Sequence, residues 1–209
     1  KLDCAAGVCF SAKTDAAAVA IAFTASEGSS RTYFSVDVTA DDKGVGSITN
    51  YAGDMPHEFY PGMHRTLGDF RGEFALPAGE KTVRIYFPWS VAVDIIEVEF
   101  KGATFIDPAP REKTFLFFGG SITHGYAAIF PSHKYATLVA EAFGANEHNK
   151  AVAGDFFKPE IAKIKENYVP AAIFAAYGTN DWHACERDYV EKRAAEFYAA
   201  LHENYPDVP

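Results

Sequence analysis

The first half of the chain alternates apolar and polar residues with a period of two. Val19, Ile21 and Phe23 alternate with alanine, and the segment KTVRIYF (81–87) places its aliphatic side chains on one face. This alternation is typical of β-strands that bury one face. The residues Asp41–Gly44 predict a hairpin turn between two such strands.

Further strands are expected in RTYFSVDV (31–38), VGSITNY (45–51) and VAVDIIEVEF (91–100), whereas MPHEFYPGMHRTLGDFRG (55–72) is interpreted as a loop. No helical repeat of comparable strength occurs in this half. The pattern therefore predicts an all-β sandwich, jelly-roll-like, over residues 1–106.

The pattern changes after the proline-rich segment DPAPRE, which forms the predicted linker at 107–112. Thr114 to Phe118 is continuously apolar, as expected for a parallel strand covered on both faces. A second buried strand is expected from Ala171 to Tyr177. Helices are predicted from apolar residues at helical spacing, namely Tyr135, Leu138, Val139, Ala142 and Phe143; Ile161 and Ile164 after Pro159; and Val190, Ala194, Phe197 and Leu201.

Alternation of strands and helices predicts an α/β layer with a parallel sheet over residues 113–209. A complete doubly wound sheet has about five strands, whereas this half supplies about three. The expected fold class is thus an incomplete flavodoxin-like α/β domain preceded by a β-sandwich.

Composition excludes several classes of partner. The net charge of −9 in 209 residues disfavours nucleic acid and a membrane surface. No apolar stretch approaches the roughly 20 residues that span a bilayer. Three cysteines favour reduced thiols and a cytoplasmic location, although a Cys4–Cys9 disulfide and a secreted protein whose signal was removed before Lys1 both stay open.

Three predicted strand ends carry the candidate chemistry, namely GGSITHG (119–125), AVAGDF (151–156) and YGTNDWH (177–183). Ligands of open parallel sheets bind at the carboxyl ends of the strands. The first segment has no lysine and is not a P-loop, it lacks the G-x-G-x-x-G dinucleotide pattern, and Thr123 replaces the last glycine of a G-x-S-x-G elbow. What remains is a serine after two glycines at a strand-to-helix turn.

The segments GGSITHGY, NKAVAGD and YGTND resemble, in order and spacing, the first three sequence blocks of the SGNH (GDSL-type) hydrolases. The β-rich first half resembles that of a bacterial two-domain subgroup of this family. The resemblance implies a serine nucleophile, Ser121. It also implies an oxyanion hole made by the N–H groups of Ser121 and Gly154 and by the side-chain amide of Asn180.

The chain departs from the family pattern in two respects. Gly120 stands where the family has an aspartate before the serine, and no D-x-x-H occurs in the α/β half. We therefore expect the catalytic histidine and its aspartate to lie beyond residue 209, so that the chain is a truncated piece without its base.

The expected function is a serine esterase that cleaves small O-acyl esters, including acetylated carbohydrates, without a metal or organic cofactor. Tyr126, Trp182 and His183 are candidates for the substrate pocket. Asp181 is interpreted as a structural hydrogen-bonding residue, and His124, His133 and His148 as surface or turn residues. Two alternatives stay open: a catalytically incomplete carbohydrate-binding protein, and an acyltransferase that uses the same serine.

Overall fold

The computed structural model describes residues 4–51 and 65–209, which form two compact units. The first unit comprises Lys1–Pro110 and Ala127–Thr137, and the second comprises Arg111–Tyr126 and Leu138–Pro209. The division after Pro110 falls inside the predicted linker. The segment Ala127–Thr137, which the sequence places in the α/β half, packs within the first unit.

The first unit consists of two antiparallel sheets. Its strands are β1 (Cys9–Thr14), β2 (Ala18–Glu27), β3 (Ser35–Ala40), β4 (Lys43–Thr49), β5 (Gly68–Ala75), β6 (Lys81–Tyr86), β7 (Val91–Lys101) and β8 (Ile106–Pro108). One sheet has the order β4-β3-β6-β1-β8 and the other has the order β5-β2-β7. Alternate residues of β2 from one sheet and of β3 and β6 from the other bury their side chains in a single apolar core.

Strand β5 was predicted as part of a loop, and this prediction was wrong. Phe70 and Phe74 pack against the core, and the residues between them alternate outward as the pleat requires. Gly68 and Gly72 lower the strand propensity of this stretch, so the sequence pattern did not predict the strand. Gly72 is needed for packing, because a Cβ there would lie 2.7 Å from the Ile48 side chain. The rest of the predicted loop, residues 55–64, lies outside the described residues.

The segment Ala127–Thr137 is attached to the first unit by hydrogen bonds. Ser132 donates its backbone N–H (3.0 Å) and its hydroxyl (2.7 Å) to one carboxylate oxygen of Asp37, while Ser35 donates to the other at 2.5 Å. The indole N–H of Trp89 donates to the carbonyl of Ala128 at 2.9 Å. A buried carboxylate thus holds the 3₁₀ turn Pro131–His133 against β3.

Burial raises the pKa of Asp37 above its ordinary value, even though the hydrogen bonds from Ser35 and Ser132 oppose the shift. Between the unfolded and the folded pKa the native state binds more protons, so this carboxyl makes stability fall as the pH rises. We expect Asp37→Asn to remove that slope. The measurement is the free energy of unfolding of both proteins from pH 4 to pH 8, with the exposed Asp94→Asn as control. If the free energies of unfolding of the wild type and Asp37→Asn differ by the same amount at every pH, Asp37 does not cause the fall in stability with rising pH.

The second unit contains a three-stranded parallel sheet, and the prediction of a parallel sheet is confirmed. Its strands are β9 (Lys113–Gly119), β10 (Ala145–Asn149) and β11 (Ala172–Ala176), in the order β10-β9-β11. The helices of the α/β half are α1 (Ser121–His124), α2 (Tyr135–Ala142), α3 (Pro159–Ala162), α4 (Thr179–Ala184) and α5 (Arg187–Asn204). Phe118 of β9 and Phe197 of α5 lie in the centre of its core, with their rings edge to face at 5.4 Å.

The predicted apolar face of α2 was wrong, whereas that of α3 was confirmed for Ile161, which packs against the core, and wrong for Ile164. Helix α2 buries Ala136 and Ala140, while Leu138 and Phe143, which the helical spacing assigned to the core, are exposed. Helix α3 ends at Ala162, so Ile164 lies outside it and is exposed.

No helix in the described residues is long and apolar enough to cross a bilayer. None of the three cysteines, all of which lie in described residues, forms a disulfide.

Candidate functional site

Ser121 is the first residue of α1, directly after β9. The strand ends at Gly119, where a Cβ would lie 2.3 Å from the Thr123 hydroxyl oxygen and 2.9 Å from the carbonyl oxygen of Ala176. Only glycine allows β9, α1 and β11 to approach so closely. The N–H of Ser121, at the start of a helix, has no acceptor within that helix. Ser121 is half-buried, with its hydroxyl group at the carboxyl edge of the sheet.

The second sequence block runs beside this turn. After β10, the N–H of Lys150 donates to the carbonyl of Phe117 (2.8 Å), and the N–H of Val152 donates to that of Gly119 (3.1 Å). Gly154 has φ +80, a left-handed conformation that favours glycine. The turn closes with a hydrogen bond from the N–H of Asp155 to the carbonyl of Val152 at 3.0 Å. The Gly154 turn is thereby fixed next to the end of β9.

The third block contributes Asn180, on the first turn of α4. Its side-chain amide donates to the backbone carbonyl of Asp155 at 2.8 Å. A Cβ added to Gly120 would lie 3.0 Å from the same amide nitrogen, so this nitrogen lies close to the residue before Ser121. An amide nitrogen has two N–H donors, and the bond to Asp155 uses one of them. Asn180 therefore joins the second and third blocks and lies beside the first.

These segments line one small pocket of about 50 Å³. The residues around it come from all three blocks: Gly120, Ser121, Ile122, Asp155, Ala176, Tyr177, Gly178, Thr179 and Asn180. Gly154 does not line the pocket itself but precedes Asp155, which does. The structure thus brings Ser121 and Asn180 into one pocket and places the Gly154 turn next to it.

Comparison with solved structures identifies the fold. A salicylyl-acyltransferase from a tetracycline biosynthetic pathway superposes with a TM-score of 0.77 at 21% identity over 99% of this chain and 57% of its own. A putative GDSL-like lipase from Bacteroides ovatus gives a TM-score of 0.74 at 16% identity over 99% and 60%. A family two carbohydrate esterase from Clostridium thermocellum, in complex with cellohexaose, gives 0.68 at 14% over 95% and 68%. The chain shares the fold of these three structures.

The similarity is confined to structure. No protein-family model matches the sequence, and no curated protein matches it either. At these identities the similarity shows the fold and not the chemistry. The chain spans 57% of the length of the acyltransferase and 60% of that of the lipase.

Asp181 has a structural position in the site. It is 1% exposed. Its carboxylate accepts from the backbone N–H of Phe157 at 3.0 Å and from that of Gly178 at 3.2 Å. Because Phe157 follows the Gly154 turn and Gly178 precedes Asn180, this carboxylate holds the second and third blocks together. The structure agrees with the interpretation of Asp181 as a hydrogen-bonding residue.

We expect Asp181→Ala to lower the free energy of unfolding by about 3 kcal/mol, because two buried N–H groups lose a charged acceptor. Urea denaturation of the variant and of the exposed Asp207→Ala measures this, and the control should stay within about 0.5 kcal/mol of wild type. A loss no larger than that of the control would show that Asp181 does not hold the two loops together.

The three candidates for the substrate pocket do not line the pocket at Ser121. Tyr126 is half-buried and packs edge to face on the ring of His124, with centroids 5.9 Å apart. His183 is exposed. Trp182 is 86% exposed and lines a second, larger cleft that adjoins the first at Gly178. Of these three, only Trp182 lies in a cavity that shares a wall with the Ser121 pocket.

His124 was predicted as a surface or turn residue, and this prediction was wrong. The ring is almost fully buried, and its Nδ1 lies 3.1 Å from the carbonyl oxygen of Ala151. It connects the helix that begins at Ser121 to the segment after β10, and thus supports the geometry of the site. No local pattern in the sequence indicates this burial, because the acceptor is 27 residues away.

No histidine in the described part of the chain is hydrogen-bonded to the Ser121 hydroxyl. His148 lies instead against the hydroxyl of Tyr168, and burial lowers its pKa. Within the pocket, burial and the nearby carboxylates of Asp155 and Asp181 raise the pKa of Tyr177 above its ordinary value.

Proposed function

We propose that the protein transfers the acyl group of small O-acyl esters through an acyl-enzyme intermediate on Ser121. The observation that carries this proposal is the meeting of three loops in one pocket, with a serine at a helix start beside a side-chain amide that has a second N–H to donate. The shared fold supports it, because both esterases and an acyltransferase have that fold.

In the proposed reaction the Ser121 oxygen attacks the ester carbonyl carbon while its proton passes to a base. The negative charge that develops on the carbonyl oxygen accepts hydrogen bonds from the N–H groups of Ser121 and Gly154 and from the second N–H of Asn180. The C–O bond of the ester then breaks, and the alcohol leaves with a proton. Water or a second alcohol attacks the acyl-enzyme by the same route and frees the serine.

The small volume of the pocket favours a short acyl group. The pocket of about 50 Å³ beside Ser121 is small enough to match an acetyl group. Since one solved neighbour is a carbohydrate esterase in complex with cellohexaose, the proposed substrates are acetylated carbohydrates.

The proposed base is a histidine paired with an aspartate three residues before it, as the resemblance to the SGNH hydrolases implies. This assignment rests on the family resemblance of the first three blocks and on the engagement of His124 and His148 with other partners. The proposed organisation is a sandwich domain at 1–106 and a hydrolase domain at 113–209.

The test is an assay of the full-length gene product with p-nitrophenyl acetate and with acetylated oligosaccharides. We expect release of acetate from both. Adding an acceptor alcohol distinguishes hydrolysis from transfer, because a transferase forms a new ester in proportion to the acceptor. A full-length protein that is inert toward all these esters, with and without acceptor, would contradict the proposal.

A further inference from the structure

A second cleft of about 530 Å³ adjoins the Ser121 pocket. Its wall is formed by Gly178, Trp182, Cys185, Arg187, Val190 and Glu191. Its size falls in the range of sites that hold drug-sized ligands, roughly 300–1,000 Å³, whereas the pocket at Ser121 does not. The two cavities therefore suit different parts of one substrate, a small reacting group and a larger remainder.

Gly178 lines both cavities. Its φ is +115, and a Cβ built on it would meet no atom within 4 Å. The space in front of this residue is thus open. No side chain at this position separates the two cavities.

The cleft combines an aromatic face with a charged pair. The Trp182 side chain is 86% exposed, which leaves the face of its indole ring available for stacking. Arg187 and Glu191 are one helical turn apart on α5, and their Nε and Oε1 atoms lie 2.6 Å apart. A guanidinium group has further N–H donors and a carboxylate has further acceptor positions. Both can therefore bind hydroxyl groups while they stay paired.

A pyranose ring matches this surface. The C–H groups on its flat face are apolar and suit an indole ring, while its equatorial hydroxyl groups are donors and acceptors that suit Arg187 and Glu191. A simple aliphatic alcohol would use only the apolar wall, and a phosphate group would face the carboxylate of Glu191.

We propose that this Trp182 cleft binds the sugar ring that carries the ester, with Trp182 as the stacking platform that determines specificity for carbohydrate. This inference rests on the proposed function, because it assigns the alcohol part of the same substrate. The acyl group then lies at Ser121 and the sugar crosses Gly178 into the cleft.

A binding measurement tests the cleft independently of catalysis. Residues 1–209 contain two tryptophans, and Trp89 is only 2% exposed, so the difference in acrylamide quenching between the wild-type protein and Trp182→Phe reports on Trp182. We expect unacetylated cellohexaose and xylohexaose to shift the emission and protect it from acrylamide in the full-length protein, and Trp182→Phe to lose the acrylamide-sensitive component. Trp182 fluorescence that acrylamide does not reach, or that neither sugar changes, would overturn the proposal.

A kinetic measurement tests specificity. We expect Trp182→Ala to lower kcat/KM for acetylated oligosaccharide about tenfold, mainly by raising KM, and to leave kcat/KM for ethyl acetate within about twofold of wild type. Tyr189→Ala is the matched control, since it removes an exposed aromatic ring of the same unit that does not line the cleft.

The outcomes separate this inference from the proposed function. If neither the acetylated oligosaccharide nor ethyl acetate is hydrolysed, the proposed function fails. The fluorescence titration alone then decides whether the cleft binds sugar. If both esters are hydrolysed equally well by wild type and Trp182→Ala, the assignment of the cleft fails while the function stands. If Trp182→Ala affects 2-naphthyl acetate but not the acetylated sugar, the cleft takes flat aromatic alcohols and the sugar assignment is wrong.

Discussion

Replacing Ser121 by alanine is expected to lower kcat for p-nitrophenyl acetate by a factor on the order of 10⁴ or more in the full-length protein. The reason is that Ser121 is the only serine among the residues that line the pocket, where the other hydroxyl groups belong to Tyr177 and Thr179. Ser121 is the only serine in residues 111–126 and 138–209. The variant should fold normally, because the half-buried side chain is small and the change removes a single oxygen.

The control is Ser26→Ala, which removes an exposed hydroxyl from β2 and should leave kcat unchanged. Circular dichroism of both variants establishes that the fold is kept. If Ser121→Ala retains more than about a tenth of the wild-type kcat, the serine is not the nucleophile and the acyl-enzyme mechanism is wrong.

Replacing Asn180 by alanine is expected to lower kcat by roughly 100-fold to 1,000-fold with a smaller change in KM. The amide of Asn180 is proposed to donate to the oxyanion, which exists only in the transition state and the tetrahedral intermediate. An interaction made only there affects kcat rather than ground-state binding.

Asn204→Ala is a matched control for this variant. Asn204 also donates its side-chain amide to a backbone carbonyl, that of Ala162, at 2.8 Å, as Asn180 does to Asp155. Both variants lose one such bond and should lose a similar amount of stability. If Asn204→Ala reduces kcat as much as Asn180→Ala does, the effect comes from loosened loops and not from a lost oxyanion donor.

The sequence predicted the elements that carry a strong periodic signal or a dense turn pattern. Thr114 to Phe118 and Ala171 to Tyr177 are apolar runs, and both appear as strands. The central strand β9 is buried as a parallel strand covered on both faces should be, whereas the edge strand β11 is only half-buried. The glycines around Ser121 and Gly178 predicted turns, since their backbone conformations and close contacts exclude side chains. The three sequence blocks alone therefore indicated one site.

Other features depend on contacts that no local pattern records. Strand β10 has the sequence ANEHN, which is polar, and it forms because β9 supplies hydrogen-bond partners for its backbone. In α2, small alanines and not Leu138 face the interior, so helical periodicity alone identified the wrong side. The burial of Asp37 could not be predicted from a local pattern, because Ser132, which donates hydrogen bonds to its carboxylate, is 95 residues away.

The cleft at Trp182 illustrates the same limit. The sequence placed Trp182 and His183 together as candidates, because they follow the third block directly. The structure distinguishes the two residues, because Trp182 lines the cleft and His183 does not. The start of α5 contributes Arg187, Val190 and Glu191 to the same cleft.

The central claim is that the acyl group becomes attached to Ser121. The most direct measurement is peptide mass spectrometry of the full-length protein, quenched with acid during turnover of p-nitrophenyl acetate. A mass increase of one acetyl group on the peptide that contains Ser121, absent from Ser121→Ala, is the predicted result. Turnover of the ester with no acetylated Ser121 peptide, or with the acetyl group on another residue, would contradict the mechanism.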